Sequence, residues 1–172
     1  MIRTLALITM MIPATISAQE AEPHMTLPRM AEIVQALDPE ARVAGSGFEF
    51  MIDDVPVLIV TDVNANRMRA MVPIRSAEGM SNEEMMRVMQ ANFDSALDAR
   101  YGVANGRLWG VFIHPLAELE KDQLISGLAQ TVNIAKTYGT LYSGGAAQFG
   151  AGDSGDLQRA LIEDLLDRGE DI

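Results

Sequence analysis

The sequence predicts an α+β domain: a five-stranded antiparallel sheet with helices packed mainly on one face, plus a C-terminal helix. Two observations predict this fold, and a third indicates what holds it together. Short segments rich in apolar residues follow one another across gaps of two to four residues, which is typical of antiparallel neighbours. Longer segments before and after them place apolar residues at helical spacing. Cysteine is absent, so an apolar core has to hold the fold without disulfides.

The first 18 residues are typical of a secretory signal peptide. Arg3 precedes an apolar stretch of about a dozen residues, and the small residue Ala18 closes the segment. This stretch is shorter than the roughly 20 apolar residues that span a bilayer. We therefore expect a periplasmic or secreted protein cut after Ala18, without stable membrane insertion. Residues 19–25 are expected to form a disordered lead.

The charge balance limits the classes of partner. The chain has 13 Lys and Arg residues against 24 Asp and Glu residues, a formal net charge of −11. Nucleic acids and anionic lipid surfaces bind clusters of Lys or Arg, so this balance argues against both. Without cysteine, the chain also has no thiolate nucleophile and no cysteine metal site.

The domain predicted at 26–143 begins with a helix and a meander of strands. Thr26 can cap the helix, and apolar residues at i, i+3, i+4 and i+7 continue to Leu37 before Asp38-Pro39 ends it. Two turns then separate three strands that follow one another closely. The predicted strands lie at 48–52, 55–60 and 68–74.

A capping box marks the second helix, with Ser81 as the cap and Glu84 reaching back to it. This helix ends near Arg100, and its apolar stripe consists of Met85, Met86, Met89, Phe93, Ala96 and Leu97. Asn105-Gly106 then predicts a tight hairpin, because both residues tolerate positive φ. The hairpin joins strands at 101–104 and 107–113.

The last part of the chain contains two more predicted helices. A long helix over 118–142 places an apolar stripe inward. Residues 144–155 read as a Gly-rich linker. An amphipathic helix over 156–169 follows, with Leu157, Leu161 and Leu165 as its expected contact residues.

Over about residues 27–143 this pattern resembles the YbjN family, whose members are similar in fold to type III secretion chaperones. The resemblance is carried by Asn92–Leu97, by Tyr101-Gly102-Val103 with the strand Arg107–Ile113, and by the helix that ends at Tyr138-Gly139. It implies a non-enzymatic α+β domain that is often dimeric and binds other polypeptides. In the secretion chaperones, a helix equivalent to 81–99 contributes to the dimer contact.

No residue set in the sequence predicts catalysis. Gly152–Gly155 (Gly-Asp-Ser-Gly) resembles the nucleophile loop of trypsin-like proteases, yet it lies in the predicted linker. A serine nucleophile needs a histidine base that a third group orients. The two histidines are His24, in the predicted lead, and His114, at a strand end. We therefore expect no enzyme, no cofactor and no histidine metal site.

A calcium loop is likewise disfavoured. Asp62, Asn64 and Asn66 imitate the opening of such a loop. However, Arg67 stands where the loop needs glycine, and Pro73 stands where it needs a bidentate glutamate. A turn between two strands is the preferred interpretation.

The methionines of the second helix leave three interpretations open. Met85, Met86 and Met89 can fill the core or a homodimer contact, or can form an adaptable peptide-binding surface. Thioethers also bind copper(I), so a small-ligand or copper(I) carrier that uses Met86 and Met89 is the alternative function.

The last strand is apolar on both faces. Trp109, Val111 and Ile113 alternate with other apolar residues, and helices can cover only one face of an open sheet. The other face has to meet the tail helix, a second subunit or a separate protein. The sequence therefore predicts an exported chaperone-like or adaptor domain that binds protein through Trp109, Val111 and Ile113 or through the methionines.

Overall fold

The computed structural model describes residues 22–94, 97–139 and 155–170, without the side chains of residues 94 and 155–158. The predicted signal peptide and nearly all of the predicted linker lie outside these residues. Within them, the fold is α+β, with six strands in one antiparallel sheet and four helices. The strands are β1 Arg42–Ala44, β2 Gly47–Ile52, β3 Val55–Asp62, β4 Arg67–Ser76, β5 Arg100–Ala104 and β6 Arg107–His114. The helices are α1 Leu27–Leu37, α2 Asn82–Asp94, α3 Lys121–Lys136 and α4 Gly155–Gly169.

The sheet has six strands rather than the five that we predicted, in the order β1-β2-β3-β4-β6-β5. The additional strand is β1, which pairs with β2 through the register Val43 opposite Phe48. Its three residues are too few to display a period of two, so the sequence gives no strand signal there. The predicted meander is confirmed, because β2, β3 and β4 are consecutive antiparallel neighbours.

The helices cover one face of the sheet, and the main core lies between the two layers. Alternate strand residues are buried beneath the helices, as a period of two requires. The buried strand residues of this face include Phe48, Phe50, Ile52, Val57, Ile59, Met68, Ala70, Val72 and Phe112. They meet the apolar faces of α1 and α3, which contribute Met30, Ile33, Val34, Leu37, Leu124, Ile125, Leu128 and Val132.

Helix α3 approaches β6 closely, because glycines remove side chains from the contact. A Cβ atom at Gly110 would lie 3.0 Å from the Thr131 carbonyl oxygen. A Cβ atom at Gly127 would lie 2.4 Å from the Phe112 ring. Helix α3 begins at Lys121 and ends at Lys136, so it is shorter than the predicted helix over 118–142. Glu120 caps its start, and the Glu120 N–H donates to the Gln123 side chain. Its predicted inward residue Tyr142 lies outside the described residues.

The tail helix α4 packs against α3 and α1 and therefore extends the helical layer. Leu165 is fully buried in the main core, and Leu161 packs against that core. Lys121 Nζ donates to the Gly169 carbonyl oxygen at 2.8 Å, which joins the end of α4 to the start of α3. We had considered the tail as a cover for the apolar sheet face that bears Trp109, but α4 lies on the opposite side. The side chain of Leu157 lies outside the described residues.

Residues 22–25 pack against the domain, although we expected them in a disordered lead. Met25 is 3% exposed, and its N–H donates to the Ala117 carbonyl oxygen at 3.2 Å. The Glu22 carboxylate accepts from the Lys121 N–H at the start of α3. A helix N-terminus has unpaired N–H groups, so this carboxylate stabilises it.

The predicted capping box at the start of α2 is confirmed. The Ser81 hydroxyl accepts from the Glu84 N–H at 3.1 Å, and the Glu84 carboxylate accepts from the Ser81 N–H at 2.9 Å. The Ser81 N–H contributes most to lowering the pKa of the Glu84 carboxyl, and the positive charge of Arg75 adds to this effect.

The lowered pKa of Glu84 gives an expected pH dependence of stability. A carboxyl whose folded pKa lies below its unfolded pKa stabilises the fold above the unfolded value, and this contribution is lost as the pH falls through the folded value. We expect Glu84→Gln to lower the free energy of unfolding slightly at about pH 6, and this deficit to shrink towards about pH 3. Urea unfolding across that range measures it. Because glutamine keeps the acceptor oxygen, a deficit that does not change with pH would contradict an effect of charge.

Candidate protein-binding surface

No residue that the structure describes covers the sheet face opposite the helices. We call this face the open face. Pairing places its residues in rows that cross the strands. One row joins Arg42, Glu49, Leu58, Met71, Val111 and Arg100. A neighbouring row contains Val60, Arg69 and Ile113, and another pairs Pro73 with Trp109 and Gly102.

Apolar side chains dominate the middle of the open face. Leu58, Met71 and Val111 are partly buried by one another, while Val60 is 49% exposed and Ile113 is 53% exposed. A groove of about 380 Å³ crosses this region, lined by Val60, Thr61, Asp62, Arg67, Met68, Arg69, Met71 and Ile113. A continuous apolar surface of this kind is typical of an interaction site.

Trp109 is held rather than free to rotate at the surface. Its indole N–H donates to the Ala104 carbonyl oxygen at 3.1 Å, across the β5–β6 hairpin. The Arg107 guanidinium lies 5.9 Å from the centre of the indole ring, within the range of a cation–π contact. The hairpin itself is the predicted one, with Asn105 at φ 50° and Gly106 at φ 69°. Trp109, Val111 and Ile113 therefore lie together on the open face, in the positions that their alternation predicts.

The methionines of α2 lie elsewhere, on the helical side. Residues Val88 and Ala91 are the buried ones of this helix, and they pack in a second, smaller core with Tyr101 and Leu108. Met85 is partly buried, while a stripe of apolar side chains points to solvent. We call it the α2 stripe: Met86 (68% exposed), Met89 (46%) and Phe93 (70%). Helix α2 ends at Asp94 rather than near Arg100, so Leu97 (38% exposed) lies beyond it, and Ala96 lies outside the described residues.

The exposure of Met86, Met89 and Phe93 rules out core packing, which was one part of the predicted core or homodimer contact. The copper(I) carrier gains no support, since no observation brings a further soft ligand to Met86 and Met89. Among the residues that the structure describes, there is also no group of three or more His, Asp or Glu side chains that could hold a metal ion.

Asn92, in the stretch that carries the family resemblance, joins α2 to β5. Its side-chain carbonyl accepts from the Tyr101 N–H at 2.7 Å, and its amide donates to the Tyr101 carbonyl oxygen at 3.1 Å. The Tyr101 hydroxyl then donates to the Ile134 carbonyl oxygen of α3 at 2.7 Å. These residues therefore position α2 and its exposed stripe against the sheet.

The remaining candidate residues that the structure describes have structural roles. Asp62 accepts from the Ala65 N–H at 2.9 Å, as in the predicted turn between strands. Asn66 accepts from the Ala117 N–H and donates to Glu118, and this second bond lowers the pKa of the Glu118 carboxyl. His114 contacts the Pro115 carbonyl oxygen through Nδ1 at 2.8 Å. The Gly152–Gly155 loop lies outside the described residues apart from Gly155, which begins α4.

The sequence alone does not identify the arginines of the open face as one group. Arg67 and Arg69 alternate with buried residues on β4 and so lie beside Met71. Their spacing of two is visible in the sequence, but only the register with β3 and β6 places them next to Val60 and Ile113.

None of the four helices, over the residues that the structure describes, is long and apolar enough to cross a bilayer.

Comparisons with known proteins give similarity at the level of solved structures. No protein-family profile matches the chain, and no curated protein sequence matches it. A chain of the HopA1-SchA chaperone–effector complex is 11% identical, with a TM-score of 0.49 over 62% of this chain and 87% of that one. A chain of the ExsC-ExsE complex is 13% identical, with a TM-score of 0.48 over 63% and 91%. A chain of the complex between the Yersinia pestis type III secretion chaperone SycH and a fragment of YscM2 is 17% identical, with a TM-score of 0.45 over 61% and 98%.

Proposed function

We propose that this protein is an exported, non-enzymatic domain of chaperone-like or adaptor type that binds a partner polypeptide on its open face. The observation that carries the proposal is the uncovered apolar centre of that face, formed by Leu58, Met71, Trp109, Val111 and Ile113. Burying such a surface releases about 25 cal/mol for each Å² of apolar area removed from water. A partner that covers this face would therefore gain most of its binding energy there.

The same proposal includes two further points: that the chain is a member of the YbjN family and that it is exported. The structural role of Asn92 and Tyr101, in the stretch that resembles the family, supports the first. The Arg3–Ala18 segment, with its single charge and apolar stretch, supports the second.

Val111→Asp is expected to weaken polypeptide binding by at least about tenfold, because it replaces an apolar side chain with a charge at the centre of the apolar contact. The measurement uses an array of labelled short peptides that vary in apolar content, followed by fluorescence anisotropy with the peptides that bind. Trp109 is the only tryptophan of the chain, so its emission reports binding on the open face independently.

Val43→Asp is the matched control for this experiment. Val43 is 74% exposed on β1, and its register opposite Phe48 places it on the helical side of the sheet. The Val43→Asp variant introduces the same charge without changing the open face. Equal affinity of Val111→Asp and the unchanged protein for every bound peptide would contradict the proposed surface.

A homodimer through the α2 stripe is the second part of the proposal. Met86, Met89 and Phe93 recur at i, i+3 and i+7, so they form one exposed apolar strip along α2. A second copy of the same strip can cover it in a helix-to-helix contact. We expect the unchanged protein to sediment as a dimer and Phe93→Glu as a monomer. Val111→Asp is expected to remain dimeric, and a monomeric unchanged protein would contradict this contact.

A further inference from the structure

We infer that the open face selects an acidic segment of its partner, with Asp or Glu residues close to apolar ones. This inference rests on the proposed function, since it specifies the partner of the same surface. It follows from an uneven distribution of charge between the two sides of the sheet.

The part of the open face formed by β4, β6 and β5 is cationic in a strongly anionic chain, whereas the β1–β3 end carries a groove lined by Asp38, Glu40 and Glu49 beside Arg42. The chain has 24 Asp and Glu residues against 13 Lys and Arg residues. Among the strand residues whose register places them on the open face, however, five are arginines and two are acidic. The arginines are Arg42, Arg67, Arg69, Arg100 and Arg107, and the acidic residues are Glu49 and Asp62.

Ion pairing within the chain also differs between the helical side and the open face. On the helical side, five cations form an ion pair with a carboxylate of the same chain: Arg29, Arg75, Arg87, Lys136 and Arg168. On the open face, Arg42 pairs with Glu49 at 3.5 Å, and Arg100 donates to the carbonyl oxygens of Leu97 and Ala99. Arg69, in contrast, has no hydrogen bond or ion pair with any residue that the structure describes. Arg67 donates to the Asn66 carbonyl oxygen, and Arg107 lies over the Trp109 ring. These three guanidinium groups thus remain available to carboxylates of another molecule.

The available arginines border the apolar groove. Arg67 and Arg69 line it together with Val60, Met71 and Ile113. Alternate residues of a strand lie about 7 Å apart, which is also the distance between alternate residues of an extended peptide. An extended segment lying along β4 can therefore place apolar side chains in the groove and carboxylates against Arg67 and Arg69.

Charge also argues against two other occupants of the open face. A second copy placed face to face would bring arginines against arginines, which is repulsive. An anionic membrane would attract the arginines of the open face but would repel a chain whose net charge is −11. A separate polypeptide needs only a local acidic segment, so it is the occupant that these observations favour.

The test compares three short peptides that share one set of apolar residues and differ only in the intervening residues, which are glutamate, glutamine or lysine. Binding to the full mature chain is measured by anisotropy and by Trp109 emission. We expect the glutamate peptide to bind roughly tenfold more tightly than the glutamine peptide, as two or three exposed ion pairs provide. The lysine peptide is expected to bind most weakly. High salt is expected to reduce these differences.

Arg67→Gln/Arg69→Gln is the decisive variant. It is expected to abolish the preference for glutamate while leaving binding of the glutamine peptide unchanged. Arg87→Gln/Arg168→Gln removes two cations from the helical side and is the matched control, which is expected to keep the preference.

Four outcomes would overturn the inference. If all three peptides bind equally and Val111→Asp abolishes that binding, acidic selectivity is refuted and the proposed function stands. Absence of binding by any peptide would refute both. Binding to phosphatidylglycerol vesicles that depends on Arg67 and Arg69 and exceeds peptide binding would identify a membrane surface instead. A dimer that Val111→Asp dissociates would identify a second copy as the occupant.

Discussion

Gly47→Ala is expected to lower the free energy of unfolding by about 3 kcal/mol or more, which removes much of the stability of a typical domain. A Cβ atom at Gly47 would lie 1.7 Å from the Ile59 carbonyl oxygen and 2.6 Å from the carbon of that carbonyl. Both atoms belong to the backbone of β3, so no side-chain rotation can relieve the contact. The β2–β3 pair would have to separate where the Thr61 N–H donates to the Ser46 carbonyl oxygen at 3.1 Å.

Gly102→Ala is the matched control for that change. Gly102 is also a strand glycine, but a Cβ atom there would meet only Val111 Cγ2, at an ordinary 3.8 Å. We expect its stability to remain within about 0.5 kcal/mol of the unchanged protein. Urea unfolding followed by circular dichroism measures both variants. Similar unfolding midpoints for Gly47→Ala and Gly102→Ala would mean that the close approach of β2 and β3 does not exist.

Features encoded by short stretches of sequence were predictable. The capping box of Ser81 and Glu84 and the Asn105-Gly106 hairpin depend on residues within four positions of each other. The alternation of Trp109, Val111 and Ile113 likewise fixes one face of a strand once the strand is recognised. Such signals are local, so tertiary packing has little opportunity to override them.

Features decided by tertiary packing were not predictable in the same way. On α2, the sequence favours the methionines and Phe93 as the inward stripe, yet Val88 and Ala91 are buried instead. In this orientation the Asn92 side chain bonds to both the N–H and the carbonyl of Tyr101. A count of apolar positions cannot detect such a polar contact between the helix and a strand.

The cationic character of the open face depends on strand register. Arg69 becomes a neighbour of Val60 and Ile113 only because β3 and β6 flank β4. The sequence predicted that β3 precedes β4 in the meander, but the pairing of β4 with β6 joins segments about 40 residues apart. Selectivity for an acidic partner is therefore a property of the assembled sheet.

Leu165→Ala is expected to lower the free energy of unfolding by about 3 kcal/mol, as truncation of a fully buried leucine does. Leu165 of α4 belongs to the same core cluster as Met30 of α1 and Leu128 of α3, so its removal leaves a cavity among three helices. Glu163→Ala, on the exposed side of α4, is expected to change stability by less than about 0.5 kcal/mol. Calorimetry is expected to find one transition, at a lower temperature for Leu165→Ala. An unchanged transition would mean that α4 does not pack on the domain.

Leu165→Ala also distinguishes between two possible roles of the tail helix α4. If α4 were a cover that a partner displaces, weakening its packing would expose the binding surface and raise peptide affinity. The structure places α4 on the helical layer, on the far side of the sheet from Trp109 and Val111. We therefore expect Leu165→Ala to bind the glutamate peptide with unchanged affinity at temperatures where it remains folded. A gain in affinity would instead mean that the helical layer contains the binding surface, because α4 packs against α1 and α3.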